Sequence, residues 1–168
     1  MCFGGSSNIG DQQAALQQQQ QQAITGATDQ INQAFSGFDP QFYQARTQAY
    51  TNYAESQLQQ QYQQTLQGLY GKLANQGLMN SSAALQEQGA LKNEQGVQQQ
   101  NIANQAIGQT QSLQQQIAQE QQNLIGQANA ANDPYSVSRG ALNVASSFSA
   151  PSAFAPVGSL FQNFANTY

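Results

Sequence analysis

The sequence predicts an all-α protein: long Gln/Ala-rich amphipathic helices, as a hairpin or an extended rod, followed by an irregular aromatic C-terminal tail. Three observations carry the prediction. Apolar residues recur at three- and four-residue steps over most of the chain. No proline falls between Pro40 and Pro134, which leaves a helix free to run. The polar surface is amide rather than charge: 38 of 168 residues are glutamine, a good helix former, and 7% are charged against the ~25% usual in soluble domains. Large core formers are sparse, so stability is expected from pairing long helices, within a chain or between copies.

Residues 1–10, which open Met1-Cys2-Phe3-Gly4-Gly5-Ser6-Ser7, read as a flexible end. They lack the basic and apolar regions of a signal peptide. Cys2 is the single cysteine, so no disulfide can close within one chain. No run of about 18 apolar residues is present to span a membrane.

A first helix is predicted over 11–36, with Leu16, Ala23, Ile24, Ala27, Ile31, Ala34 and Phe35 on one face. The glutamine run from Gln17 to Gln22 sits inside it. Alone, that run reads as a disordered tract, but the flanking periodicity favours helix. Gly37 can end this helix, Asp39 can cap the next, and Pro40 suits its first position.

A long helical region follows over 40–131. Leu58, Leu69, Asn80, Leu91, Ile102, Leu113 and Leu124 are eleven residues apart, and a second ladder lies four residues on: Tyr62, Leu73, Ala84, Gln95, Ala106, Ile117 and Ala128. Each ladder is apolar at six of its seven rungs. Eleven residues in three turns is ~3.67 per turn, the period of a straight or gently right-handed bundle rather than a left-handed coiled coil. Residues 75–82 carry turn chemistry, with Gly77 near a C-cap and Asn80 or Ser81 as an N-cap. The ladder phase survives this stretch and argues for a rod. The turn residues argue for a hairpin near Leu78, and the break is preferred. The rungs Leu58, Leu69, Leu91, Ile102, Leu113, Leu124, Tyr62, Leu73 and Ile117 are expected to carry packing and self-assembly. Gly68, Gly71, Gly77, Gly89, Gly96, Gly108 and Gly126 punctuate these helices. They read first as a close-packed small-residue seam, and second as built-in low stability.

Asn132-Asp133-Pro134 ends the region, and 132–168 form a Pro/Ser/aromatic tail. A short helix is expected from Ser138 to Phe148, an extended stretch from Ser149 to Pro156, and a closing amphipathic helix from Val157 to Tyr168. Phe148, Phe154, Phe161, Phe164 and Tyr168 either pack on the chain's own helices or dock on a partner subunit or membrane interface.

Chemistry is sparse. There is no histidine, which removes the usual general base and the commonest transition-metal ligand. Glu87 and Glu94 share a helix face two turns apart and read as solvated, not as a catalytic pair. Gly68-Leu69-Tyr70-Gly71-Lys72-Leu73 lacks the spacing and hydroxyl of a phosphate loop. The net charge is -4, and Arg46, Lys72, Lys92 and Arg139 stand apart, so no cluster grips phosphates. The expectation is a protein that is not an enzyme and takes no cofactor or metal.

The Met-Cys-Phe-Gly-Gly-Ser-Ser opening, the Gln/Ala-rich helices over 57–67 and 111–122, the near absence of charge and the aromatic Ser/Ala/Pro tail together resemble the small internal virion (ejection, or DNA-transfer) proteins of podophages. The resemblance spans most of the chain in style and transfers no site residue. It implies a protein carried inside the capsid near the portal, which leaves before or with the DNA. It also implies homo-oligomers that join other ejection proteins in a conduit across the host envelope. Contacts with portal or tail proteins, and transient non-specific proximity to DNA, come with that implication. Alternatives are a retained head–tail connector or tail component, a disordered glutamine-rich interaction segment, and a membrane-surface protein.

Overall fold

The computed structural model describes residues 7–150, 154 and 156–161. They form four helices, α1 (Ser7–Phe35), α2 (Pro40–Asn75), α3 (Ser82–Ala130) and α4 (Pro134–Ser149), with no strand among the described residues. The all-α prediction holds. The glutamine run is helical, not the disordered tract that it would form alone. α1 opens at Ser7, inside the stretch read as a flexible end; the rest of that end, Cys2 included, lies outside the described residues.

The helix ends follow the capping chemistry closely. The Asp39 carboxylate accepts the Phe42 N–H at 2.8 Å, with Pro40 as the first residue of α2. At the other end of α2, Leu78 N–H donates to the Leu73 carbonyl at 2.9 Å and Gly77 N–H to that of Ala74 at 3.1 Å. This is a Schellman closure, and it requires the left-handed backbone that Gly77 adopts at φ +68. The Ser81 hydroxyl accepts the Ala84 N–H at 3.2 Å and so caps α3. Residues 76–81 therefore break the long region, as the turn chemistry predicts. Gly37 follows the end of α1 without a positive φ: Ser36 N–H bonds the Gln33 carbonyl and Phe38 N–H that of Phe35, so the helix closes in a tight turn instead.

Two compact units are built from the described residues: 7–42 with 113–150, and 43–112 with 154 and 156–161. In the first, α4 runs parallel to α1. Phe148 meets Phe38 edge-on, with ring centres 6.2 Å apart, while Tyr135 lies against Gly26 twelve residues earlier on α1. Its buried residues are Ala27, Ile31 and Phe35 of α1, Ile117, Leu124 and Ala128 of α3, and Pro134, Ser138, Ala141 and Ala145 of α4. Leu16, assigned to the apolar face of the first helix, is 64% exposed. Ser138 is the buried polar side chain here; its hydroxyl bonds Gln30 Oε1 at 2.7 Å. α4 is longer than expected, because Pro134 fits its first turn and the helix runs on to Ser149.

In the second unit, α2 and α3 form an antiparallel hairpin. Thr47 faces Thr110, and Tyr50 donates to Gln105 Oε1 at 2.9 Å. Its core is a file of ladder rungs: Leu58, Leu69 and Leu73 from α2, and Ala84, Leu91, Ile102 and Ala106 from α3. Leu91 and Ile102 are 0% and 1% exposed. A narrow apolar stripe per helix is what an eleven-residue repeat provides, and Tyr50, Ala54 and Phe161 complete this core beside the rungs.

Candidate functional site

The ladders appear where the period places them, and they are used within the chain. Leu58, Leu69, Leu91, Ile102, Leu124, Leu73 and Ile117 are buried, and Leu113 and Tyr62 half-buried. Asn80, the polar rung, lies exposed in the turn. The packing role expected of these rungs is what the single chain displays. The reversal at Gly77 brings Leu58, Leu69 and Leu73 together with Ala84, Leu91, Ile102 and Ala106 in the hairpin core, while Ile117, Leu124 and Ala128 are buried in the first unit.

The tail aromatics are likewise engaged. Phe148 packs on Phe38. Phe154 and Phe161 lie on α2, while Phe164 and Tyr168 lie outside the described residues. The closing helix is not what the described part forms: Pro156–Ser159 carry no helix, and Leu160 and Phe161 sit in a turn. This stretch runs alongside α2, in the same direction, as a third segment of the second unit.

The contact is built from two glutamines and three tyrosines of α2. Phe154 meets Tyr50 edge-on and Tyr53 at a tilt, with ring centres 5.4 and 5.6 Å apart. Phe161 is 5% exposed and lies 6.1 Å from the Tyr62 ring centre. Between these anchors, Gln57 Oε1 accepts the Val157 N–H at 2.7 Å. One turn on, Gln61 does two things: its Oε1 accepts the Leu160 N–H at 2.8 Å, and its Nε2 donates to the Gly158 carbonyl at 3.3 Å. An amide side chain has the donor and acceptor of a peptide group, so glutamines at i and i+4 pair with an extended backbone much as a neighbouring strand does. All three bonds reach backbone atoms. The aromatic anchors, not the hydrogen bonds, therefore select which sequence sits there. Sequence reasoning missed this pair because 38 glutamines give it no contrast.

The glycines answer differently from the first reading. A Cβ built at Gly68, Gly71, Gly89, Gly96, Gly108 or Gly126 meets nothing within 4 Å. They do not form a close-packed seam within the chain. Gly26 is the position where space is tight: a Cβ there lies 2.8 Å from the Tyr135 hydroxyl.

Other chemistry is thin among the described residues. No three metal-ligating side chains come together, and no helix is long and apolar enough to cross a membrane. Arg139 and Asp133 approach to 3.8 Å in an exposed pair, which contributes little. No family model matches the chain, and neither a curated protein nor a solved structure is significantly similar to it.

Proposed function

We propose that this chain is a structural assembly protein, and within that class an internal virion protein of a short-tailed bacteriophage that is expelled with the genome and helps form its conduit across the host envelope. The observation that carries the reading is the set of six helix-interior glycines facing open space. Each lowers helix stability by roughly 0.5–1 kcal/mol relative to alanine, and none gains packing in return. With small cores and a single cysteine, the chain is easy to unfold and free to refold. A subunit that passes a narrow channel and reassembles beyond it needs those properties. The glutamine-clad surface adds a lining on which DNA phosphates find no cation cluster. The test is to purify virions, trigger DNA release, and quantify the protein in full and spent particles by mass spectrometry. Depletion from spent particles is the expected result. Undiminished amounts would assign it instead to a fixed connector or tail part, and absence from virions would end both readings.

A further inference from the structure

We propose that the Gln57/Gln61 face of α2 is a peptide-docking groove that exchanges its occupant between copies, so that the segment Phe154–Phe161 of one chain seats on α2 of a second copy. The inference rests on the self-assembly part of the function proposed above and names its contact.

Four features support it. The segment's ring pairs and backbone bonds have their partners on α2, where Tyr50, Tyr53 and Tyr62 hold the rings and Gln57 and Gln61 the backbone, and the core that Phe161 joins belongs to the same α2–α3 hairpin. The same contacts therefore form whichever copy supplies the segment, and exchange is close to neutral in contact energy. α4, which ends at Ser149, and the docked segment from Phe154 belong to different compact units. The chain has left α4 by Ala150, which is extended at φ -57 and ψ 143, as a residue before proline prefers. Finally, the three amide bonds join exposed or half-buried groups, so the joint opens without stranding a buried polar atom.

The balance between a chain's own segment and a neighbour's is then set by concentration. A tether of a few residues holds its own segment at an effective concentration on the order of 1 mM. Seating from a second copy is therefore minor in dilute solution, and becomes dominant where copies are crowded together in a particle.

The test uses the full chain with Cys2→Ser, in two batches. One carries Gln60→Cys, on the exposed flank of the groove, and the other Ser159→Cys, on the exposed side of the segment. The batches are mixed and treated with a short bis-maleimide, after circular dichroism has shown parental helicity for both. The expected result is a cross-linked heterodimer whose yield rises about tenfold between 20 and 200 µM, in proportion to concentration. Adding Phe154→Ala and Phe161→Ala to the Ser159→Cys batch should cut that yield about tenfold. No heterodimer, or a yield unaffected by losing the two rings, overturns the exchange. If the mixed chains nevertheless form concentration-dependent oligomers, assembly survives through another face and only this contact is lost. A robust heterodimer in a protein absent from virions keeps the exchange and removes the phage reading.

Discussion

The hydroxyls of Thr47 and Thr110 lie 2.8 Å apart across the α2–α3 hairpin, sixty-three positions apart in the chain. Each also approaches a carbonyl of its own helix: Thr47 that of Tyr43 at 3.0 Å, and Thr110 that of Ala106 at 2.9 Å. Three acceptor positions thus compete for two protons, so at any moment one of the three bonds is unmade. Losing either hydroxyl leaves the other satisfied by its own helix. Thr47→Val and Thr110→Val should each cost less than about 1 kcal/mol, and the double variant should cost no more than the two singles together. Urea denaturation of the four proteins checks this; a single loss above 2 kcal/mol would show that the pair sets the hairpin register.

The rungs should behave as core, not as surface. Leu91→Ala is expected to destabilise by about 2–5 kcal/mol. Half-buried Leu113→Ala should cost distinctly less. Ile102→Asp places a charge where the native side chain is 1% exposed and should abolish cooperative unfolding of the hairpin. Melts followed by circular dichroism at two protein concentrations separate this from an assembly defect, since loss of a fold does not depend on concentration.

Alanine at the open glycines should stabilise. Gly68→Ala, Gly89→Ala and Gly108→Ala each meet nothing within 4 Å and should add about 0.5–1 kcal/mol. Gly77→Ala should do the reverse, because its φ of +68 is strained for any residue with a Cβ. Gly26→Ala should turn aside the part-exposed Tyr135 ring and so stabilise less than alanine at the open positions. If alanine at the α3 positions instead weakens association, the face carrying Leu85, Val97 and Ile107, which are exposed in the single chain, packs against a second copy.

These contrasts mark how much was legible beforehand. The ladders were readable because a core rung must be apolar, and eleven-residue spacing keeps it on one line. The reversal was readable because Gly77 and Ser81 carry chemistry with one common use. The glycines were misread because a sequence shows a missing side chain but not what lies across from it. The groove was invisible for a related reason: Gln57 and Gln61 differ from Gln59, Gln60, Gln63 and Gln64 in nothing but the segment that lies over them. That segment is placed about a hundred residues later in the chain. Phe161 looked like one side of an amphipathic helix, because spacing alone cannot tell a docked turn from one.

Tyr43 provides an alkaline signature. Burial pushes its phenol above the ordinary value of 10.0. The folded state therefore holds this proton after the unfolded chain has lost it. The associated stability is intact below about pH 10 and drains away as pH rises through the folded value. Tyr43→Phe should remove this contribution, so its melting temperature should fall less than the parent's between pH 9 and 11. Parallel curves would assign the alkaline loss to other groups.

Gln61 should matter more than Gln57, since it contributes two of the three backbone bonds. Gln61→Ala is expected to raise chymotryptic cleavage after Phe154 and Phe161 several-fold, and Gln57→Ala less, each with helicity unchanged. Equal cleavage in both variants and the parent would show that the tyrosines alone hold the segment.

The amide clasp also sets how the molecule responds to its medium. Amides neither titrate nor carry a net charge, so the joint has no ion-pair attraction for salt to screen and no group to protonate in mild acid. Its strength follows the displacement of water from rings and peptide groups, and that is nearly the same in dilute buffer as beside densely packed polyanion. Fasteners made of lysine and glutamate would loosen on moving between such surroundings; this one should hold its setting through the change.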